Sequence, residues 1–227
     1  MKTKLIVLML ILLSCNDETI EQPKGQIQLV SIHKTVYNTD NSISTGIIDF
    51  KYNQKGLLTE GFGHYTYNEN DQLIEIRYSD YSTFFEYENN LVVKVIYQYR
   101  IFNTESTNYF EYNTQGEINK YIIETPFYTV VYNNFIYDTN GNRTSYANAA
   151  QPNQRFISTY DEKNNPYTLF YDEAVLKTLF HGKNNKLKDN DDKTMVYEYN
   201  SENYPIKQTT YYEDQLESII IYNYITL

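Results

Sequence analysis

The side chains that could catalyse a reaction or hold a metal ion are few and scattered. The chain has three histidines, none at metal-ligand spacing from another: His33, His64 and His181. The segment KDNDDK, residues 188–193, carries three aspartates but lacks the glycine and the distal glutamate of an EF-hand calcium loop. The sequence therefore predicts no catalytic residue, no cofactor and no metal site. A hydrolase that pairs carboxylates from adjacent strands stays open, because sequence spacing does not report pairing across strands.

Cys15 is the only cysteine, and it closes the N-terminal segment MKTKLIVLMLILLSC. Two lysines and an apolar run over residues 5–13 are typical of a secretory signal peptide, since the run is too short to span a bilayer. The LLSC sequence resembles a bacterial lipobox, whose cysteine is S-diacylated and becomes the mature N-terminus. The sequence thus predicts a lipoprotein signal peptide over residues 1–14 and a lipid anchor at Cys15. The alternative is a chance cysteine after an ordinary signal peptide.

The residues after Cys15 are polar and acidic, which predicts a disordered tether over residues 15–25 and a single domain over residues 26–227. Residues 1–14 hold two lysines and no acid, so their removal changes the net charge from −10 to −12. Such a charge excludes nucleic acid as a favoured partner. We expect the mature chain at the outer membrane or the cell surface, held there by its lipid.

Tyrosine is the remaining candidate for ligand recognition, because 26 of the 227 residues are tyrosines. Without them the hydrophobic content falls from 41% to about 30%, which is low for a globular domain. Tyr65 with Tyr67, and Tyr97 with Tyr99, each lie two residues apart and hence on one face of a strand. These four form the predicted ligand-binding set, for a glycan or an extended peptide. The alternative is that tyrosines pair across strands and only protect a thin sheet from water.

A repeated phrase shows which elements must position these tyrosines. It is written YNQKG, YNEND, YNTQG, YDTNG, YDEKN and YNSEN, beginning at residues 52, 67, 112, 137, 160 and 199. Asn or Asp at the first turn position and Gly at the fourth predict a type I turn followed by a left-handed residue. Three copies place Asp71, Asn164 or Asn203 in the glycine slot, and these types tolerate positive φ best. Two shorter copies predict two-residue turns at Asn89–Asn90 and Asp214–Gln215.

The flanking residues predict strands. Pairs of aromatics two apart, as in FKY, YTY and FEY, precede the turns, and LVVKVIYQYRIF alternates after one of them. The segment DEAVLKTLFHG interrupts this pattern and predicts one short helix, with Asp172 as N-cap and Gly182 as the stop. The predicted fold is all-β: an extended, twisted antiparallel meander of successive hairpins, open, curled or closed into a half-barrel, with one short helix.

The turn phrases resemble a known repeat. YDTNGNRT is similar to the YD motif of RHS/YD-repeat proteins, and YDEKNNP, KNNK and YEYNSENYPIK resemble the last part of Bacteroidota lipoproteins built from such repeats. The resemblance covers residues 50–224. It implies an extended, twisted antiparallel sheet and a surface location, and it implies no catalytic residue. The chain is too short to enclose a toxin domain as large RHS shells do.

The sequence therefore favours a non-catalytic surface lipoprotein that acts as a β-sheet scaffold or binding module. Glycan capture beside a nutrient-uptake system is the alternative within binding, and a carboxylate-based hydrolase is the alternative from a different class.

Cys15→Ser should abolish labelling by a fatty-acid analogue, because this residue supplies the only thiol that a lipid could modify. The measurement is incorporation of an alkyne fatty acid in cells, compared with the unmodified chain. Equal labelling of the variant and the parent would contradict the lipobox assignment.

Overall fold

The computed structural model describes residues 26–40, 42–179, 182–190 and 192–227. Cys15, the predicted signal peptide and the whole predicted tether lie outside this part of the chain, as do His181 and Asp191. The described residues form 17 strands and one α-helix. The strands are β1 Ile27–Tyr37, β2 Ile43–Asp49, β3 Lys51–Tyr52, β4 Leu58–Glu60, β5 His64–Tyr67, β6 Leu73–Arg77, β7 Tyr81–Glu88, β8 Leu91–Tyr99, β9 Thr104–Tyr112, β10 Ile118–Glu124, β11 Thr129–Tyr137, β12 Arg143–Asn148, β13 Gln151–Asn164, β14 Asn184–Asp189, β15 Lys193–Tyr199, β16 Pro205–Tyr212 and β17 Gln215–Thr226. The helix α1 is Glu173–Thr178, and a short 3-10 helix, Pro166–Leu169, precedes it.

All strands belong to one antiparallel meander that nearly closes into a barrel. From β3 to β17 each strand pairs with the next one in the chain. The strand β1 joins the two ends, because it pairs with β17 on one edge and with β2 on the other. Only Phe50 separates β2 from β3, so these two form one strand with β1 and β4 on opposite edges. This architecture confirms the predicted all-β meander.

The two ends of the sheet differ. We call the tyrosine that opens each copy of the repeated phrase a phrase tyrosine. The five-residue turns that follow these tyrosines lie at one end, which we call the Tyr-turn end. Both termini of the described chain lie there too, since Leu227 N–H donates to Gln26 O at 3.0 Å. The connections between β4 and β5, β6 and β7, β8 and β9, and β10 and β11 lie at the opposite end, which we call the distal end.

The five-residue turns confirm the predicted Asn/Asp and glycine chemistry. In the first turn, Asn53 Oδ1 accepts from the N–H groups of Lys55 and Leu57 at 2.9 and 3.0 Å. Gly56 donates its N–H to Asn53 O and has φ +80°. The same left-handed slot is occupied by Asp71, Gly116, Gly141 and Asn203.

One of the two short turns matches its prediction. Asn89 and Asn90 both have positive φ, at 51° and 63°. The predicted turn at Asp214–Gln215 is wrong by one residue, because Gln215 already pairs with Tyr212 and the turn residues are Glu213 and Asp214.

The phrase that begins at Tyr160 is not a hairpin turn, and the prediction of a left-handed Asn164 is wrong. Asp161 Oδ1 accepts from Lys163 N–H as in the other turns, but its second donor is the N–H of Asn185, 24 residues later. Asn164 donates its N–H to Asn203 O instead of closing a turn. The chain therefore leaves the sheet where the turn would close and forms two short helices. It then returns at Asn185, whose N–H completes the pair of hydrogen bonds to Asp161 Oδ1. We call residues 165–179 the plug.

The plug fills the space that the sheet encloses. Phe170 stacks on Phe50 with ring centroids 5.5 Å apart, and Val175 and Leu176 of α1 are buried. Asp172 is the N-cap as predicted, because its side chain accepts from Val175 N–H at 2.8 Å. The helix ends at Thr178 rather than at Gly182. Gly182 is needed for space, since a Cβ there would lie 2.6 Å from Asn142 Oδ1.

The phrase tyrosines bind consecutive hairpins together. Tyr112 donates its hydroxyl to Val92 O at 2.6 Å, and Tyr137 donates to Ile118 O at 2.9 Å. In both cases the acceptor belongs to a residue at the start of the strand that follows the preceding turn. Equivalent bonds run from Tyr52 to Leu29 O, from Tyr87 to Leu73 O, from Tyr160 to Arg143 O and from Tyr224 to Pro205 O. We call this series the tyrosine ladder. Tyr67 and Tyr199 depart from this series: the buried hydroxyl of Tyr67 has no hydrogen-bond partner, and Tyr199 donates to the Asp161 carboxylate instead of a backbone carbonyl.

The left-handed slot gives a prediction for Gly141, whose φ is +81°. A Cβ added there would meet no heavy atom within 4 Å beyond the adjoining residues, so the cost of a side chain is conformational rather than steric. Gly141→Val should lower the free energy of unfolding by about 1 to 3 kcal/mol, and Gly141→Asn should lower it clearly less. Chemical denaturation of both variants measures this difference, and equal stabilities would contradict the turn assignment.

The tyrosine ladder predicts opposite behaviour for two identical substitutions. Tyr112→Phe should lower the free energy of unfolding by about 1 kcal/mol, because it removes a bond to a backbone carbonyl. Tyr67→Phe is the matched control and should leave stability unchanged or raise it, because it removes a buried hydroxyl that has no partner. Denaturant titrations of both variants test the pair, and an equal loss would show that the ladder bonds contribute nothing specific.

Candidate functional site

The four tyrosines predicted to bind a ligand do not form an open platform. Tyr65 is buried in the core, where its hydroxyl lies 3.2 Å from that of Tyr171, and burial raises its pKa to about 12. The Tyr67 hydroxyl is enclosed, and burial likewise raises its pKa. Tyr97 is half-buried, with a pKa raised by burial to about 12, and only Tyr99 is exposed. The face that carries the aromatic pairs is the enclosed one, because the sheet curves around the plug.

The outer face of the sheet is marked by ion pairs between directly opposed residues. Four phrase tyrosines are preceded by a charged residue. Each of these charged residues lies directly opposite a residue of opposite charge on the next strand. These pairs are Lys51–Glu60, Glu86–Lys94, Glu111–Lys120 and Glu198–Lys207. Single exposed pairs contribute little to stability. They do show that these carboxylates lie opposite lysines rather than opposite one another.

Exposed apolar side chains concentrate at the distal end. Ile101 and Phe102, in the loop between β8 and β9, are 72% and 74% exposed. Phe127 and Tyr128, in the loop between β10 and β11, are 87% and 58% exposed. Because β8 to β11 are successive neighbours in the sheet, these two loops are two strands apart on the same rim. We call these four residues the distal rim.

Both rim loops are held by hydrogen bonds. Thr125 Oγ1 accepts from the N–H groups of Phe127 and Tyr128 at 3.3 and 3.1 Å. Arg100 N–H donates to Asp80 O at 3.0 Å, which links the β8–β9 loop to the β6–β7 loop. The apolar side chains are therefore displayed by loops with a defined backbone, which lowers the entropy cost of binding. The distal rim is not among the predicted sites, although RIFNT and TPFYT carry a signal for it: adjacent apolar residues that break strand alternation.

A notch of about 550 Å³ lies beside the rim, where β4 and β5 are short. His64, Arg77 and Arg100 line it together with Asp49 and other residues. Arg77 pairs with Glu75, and the Arg100 guanidinium donates to Ser79 O and Ser82 Oγ. The notch thus gathers two of the four arginines of an acidic chain.

An interior cavity of about 370 Å³ lies between the plug and strands β13 to β17. Its walls include four tyrosines: Tyr160, Tyr167, Tyr197 and Tyr222. The polar groups beside them bond to one another, since Tyr222 donates to Gln208 Oε1 at 2.7 Å and Lys186 pairs with Asp189 at 2.8 Å. The cavity combines aromatic surfaces with hydrogen-bonding groups, as sites for small polar ligands do.

Across residues 26–40, 42–179, 182–190 and 192–227, no three His, Cys, Asp or Glu side chains are grouped so that they could hold a metal ion. His33 is exposed on β1, and His64 lies in the notch. In the same described ranges, no helix has the length and apolar character needed to cross a membrane.

Comparison with known proteins gives a fold-level likeness only. No protein-family model matches the chain, and no curated protein sequence matches it. Among solved structures, the chain is similar to a porin-like protein from Bacteroides uniformis ATCC 8492, with 12% sequence identity and a TM-score of 0.47. The match covers 89% of this chain and 98% of the other. A similarity at this level carries no conclusion about the function or the location of this chain.

Proposed function

We propose that the protein is a non-catalytic, lipid-anchored binding module of the cell envelope, which holds a protein partner at its distal rim. The observation that carries this proposal is the separation of the two ends of the sheet. The Tyr-turn end holds polar turns and the N-terminal side of β1, whereas the distal end holds the exposed rim side chains.

The predicted tether joins the folded domain at the end of the sheet opposite to the rim. Cys15 precedes Gln26 by eleven residues, so a lipid on Cys15 attaches through the Tyr-turn end. An extended tether of that length reaches at most about 35 to 40 Å. The domain is thus held at the end opposite to the rim, which leaves the rim side chains free to contact a partner.

The chemistry of the rim favours a protein partner. Three of its four side chains are purely apolar, and the hydroxyl of Tyr128 is the only polar group among them. Aromatic residues are enriched at the cores of protein interfaces, whereas glycan sites need polar groups beside the rings. The acidic net charge disfavours nucleic acid as the partner.

A second candidate function is glycan capture, and the interior cavity is the observation that favours it. Its tyrosine walls and its Gln208, Lys186 and Asp189 side chains match the mixed apolar and polar surface of a sugar ring. Binding there would leave the rim free, so rim variants distinguish the two candidates.

The rim is tested by site-specific photocrosslinking in cells, with a photoreactive phenylalanine analogue in place of Phe127. We expect one discrete adduct, and we expect the same adduct from position 102. The matched control places the analogue at Gln115, in a polar turn at the opposite end, and should give no such adduct.

The adduct protein is then purified, and its affinity is measured against Phe102→Ser/Phe127→Ser. Because both side chains are more than 70% exposed, the double variant should keep its melting temperature while its affinity falls by about 100-fold. Unchanged affinity, or adducts of equal yield at position 115, would overturn the proposal. Glycan binding that survives the double variant would favour the second candidate instead.

A further inference from the structure

The strand β2 has one unpaired edge. On its other edge β2 pairs with β1, and Phe50 continues this pairing by donating its N–H to Val30 O at 2.9 Å. The opposite edge is occupied by β4 only from Lys51 onward, where Lys51 lies opposite Glu60. Between Ile43 and Asp49, no strand of the described part of the chain covers that edge.

This edge lacks the usual protection against strand pairing. Natural edge strands carry charges, prolines or bulges that block addition of another strand. The only charge on this edge is at its last residue, Asp49, since residues 42–48 read SISTGII and contain no charge and no proline. Ile43 and Ile47 are each 62% exposed. They lie on the outer face with Thr45, because the next residue, Ile48, packs against the core and successive side chains of a strand point to opposite faces.

We infer that β2 pairs antiparallel with β2 of a second copy of this chain, with Thr45 on the two-fold axis. In this register Ile43 of one copy lies opposite Ile47 of the other, and the two Thr45 residues face each other. Lys51 directs its backbone N–H and C=O groups toward β4, on the side of the free edge. Successive residues of a strand direct these groups to opposite edges, so all odd-numbered residues of β2 direct theirs toward the free edge. The pairs at Thr45 and at Ile43 with Ile47 therefore exchange backbone hydrogen bonds.

The neighbouring registers fit less well. Shifting the axis to Gly46 places Ile43 opposite Asp49, which exchanges an apolar pair for an apolar side chain facing a carboxylate. Shifting it to Ile47 brings Ile43 opposite Lys51, where β4 already occupies the edge. The Thr45 axis alone pairs apolar with apolar on both sides of the dyad. This inference does not depend on the distal rim, and the two surfaces are tested with different variants.

The register is tested with Thr45→Cys in a Cys15→Ser background, so that each full-length chain has one thiol. Directly opposed residues in an antiparallel pair have Cα atoms about 4.5 to 5.5 Å apart, within the range for a disulfide. Mild oxidation should therefore give a covalent dimer. The matched control is Thr35→Cys, which lies beside Thr45 on β1 and shares its face. Two such residues would be about 15 Å apart across the axis and should not crosslink.

The association is tested by light scattering on the full chain in mild detergent. Thr45→Lys should be monomeric at concentrations where the parent is dimeric, because two lysines then face each other. Thr45→Glu should behave likewise, and an equal mixture of the two variants should recover the dimer. Thr35→Lys should remain dimeric. A parent that stays monomeric up to about 100 µM, well above micromolar affinities, overturns the inference, as does a mixture that fails to associate.

Discussion

The hydrogen bond from a phrase tyrosine to a backbone carbonyl of the preceding hairpin is the interaction on which the architecture depends. A tyrosine buries a large apolar ring, yet its hydroxyl must find a partner when it leaves water. At Tyr112 and Tyr137 that partner is a carbonyl at the start of the strand that follows the preceding turn. Each bond therefore ties one hairpin to the next. A chain with few aliphatic residues thereby gains a half-buried layer of tyrosine rings whose hydroxyl groups are hydrogen-bonded.

The plug follows from the same constraint. A sheet that pairs β1 with both β17 and β2 curves around an interior that its inner rings share with the plug. The opened turn at Asp161 allows this, because residues 165–179 leave the sheet there and bring Phe170, Val175 and Leu176 into the interior. The hydrogen bonds of the turn survive this insertion, since Asn185 takes the place of the residue that normally follows the glycine slot. The plug is thus an insertion within one repeat rather than an addition to the sheet.

Closing most of the sheet also decides where recognition can occur. The aromatic faces of the strands turn inward, which removes Tyr65 and Tyr67 from any external ligand. The outer face carries opposed charges. The most exposed apolar side chains lie in the loops of the distal end, where strands end, and on β2, whose edge lacks a neighbour. These two surfaces have different chemistry: side chains act at the distal rim, whereas backbone groups act at β2.

The sequence by itself determined the elements whose causes are local. The turn at Asn53 to Gly56 needs one side-chain acceptor and one left-handed residue, both within five positions, and the N-cap at Asp172 needs a partner only three residues away. The tertiary structure alone decided whether a copy of the phrase closes as a turn. Asn164 has the right residue type, but its N–H bonds to Asn203 and the turn opens into the plug. It also decided which face is enclosed and which edge stays free. Those outcomes depend on pairing between β1 and β17, where Asn223 bonds to Ser31 across 192 residues, and no local pattern encodes a contact at that separation.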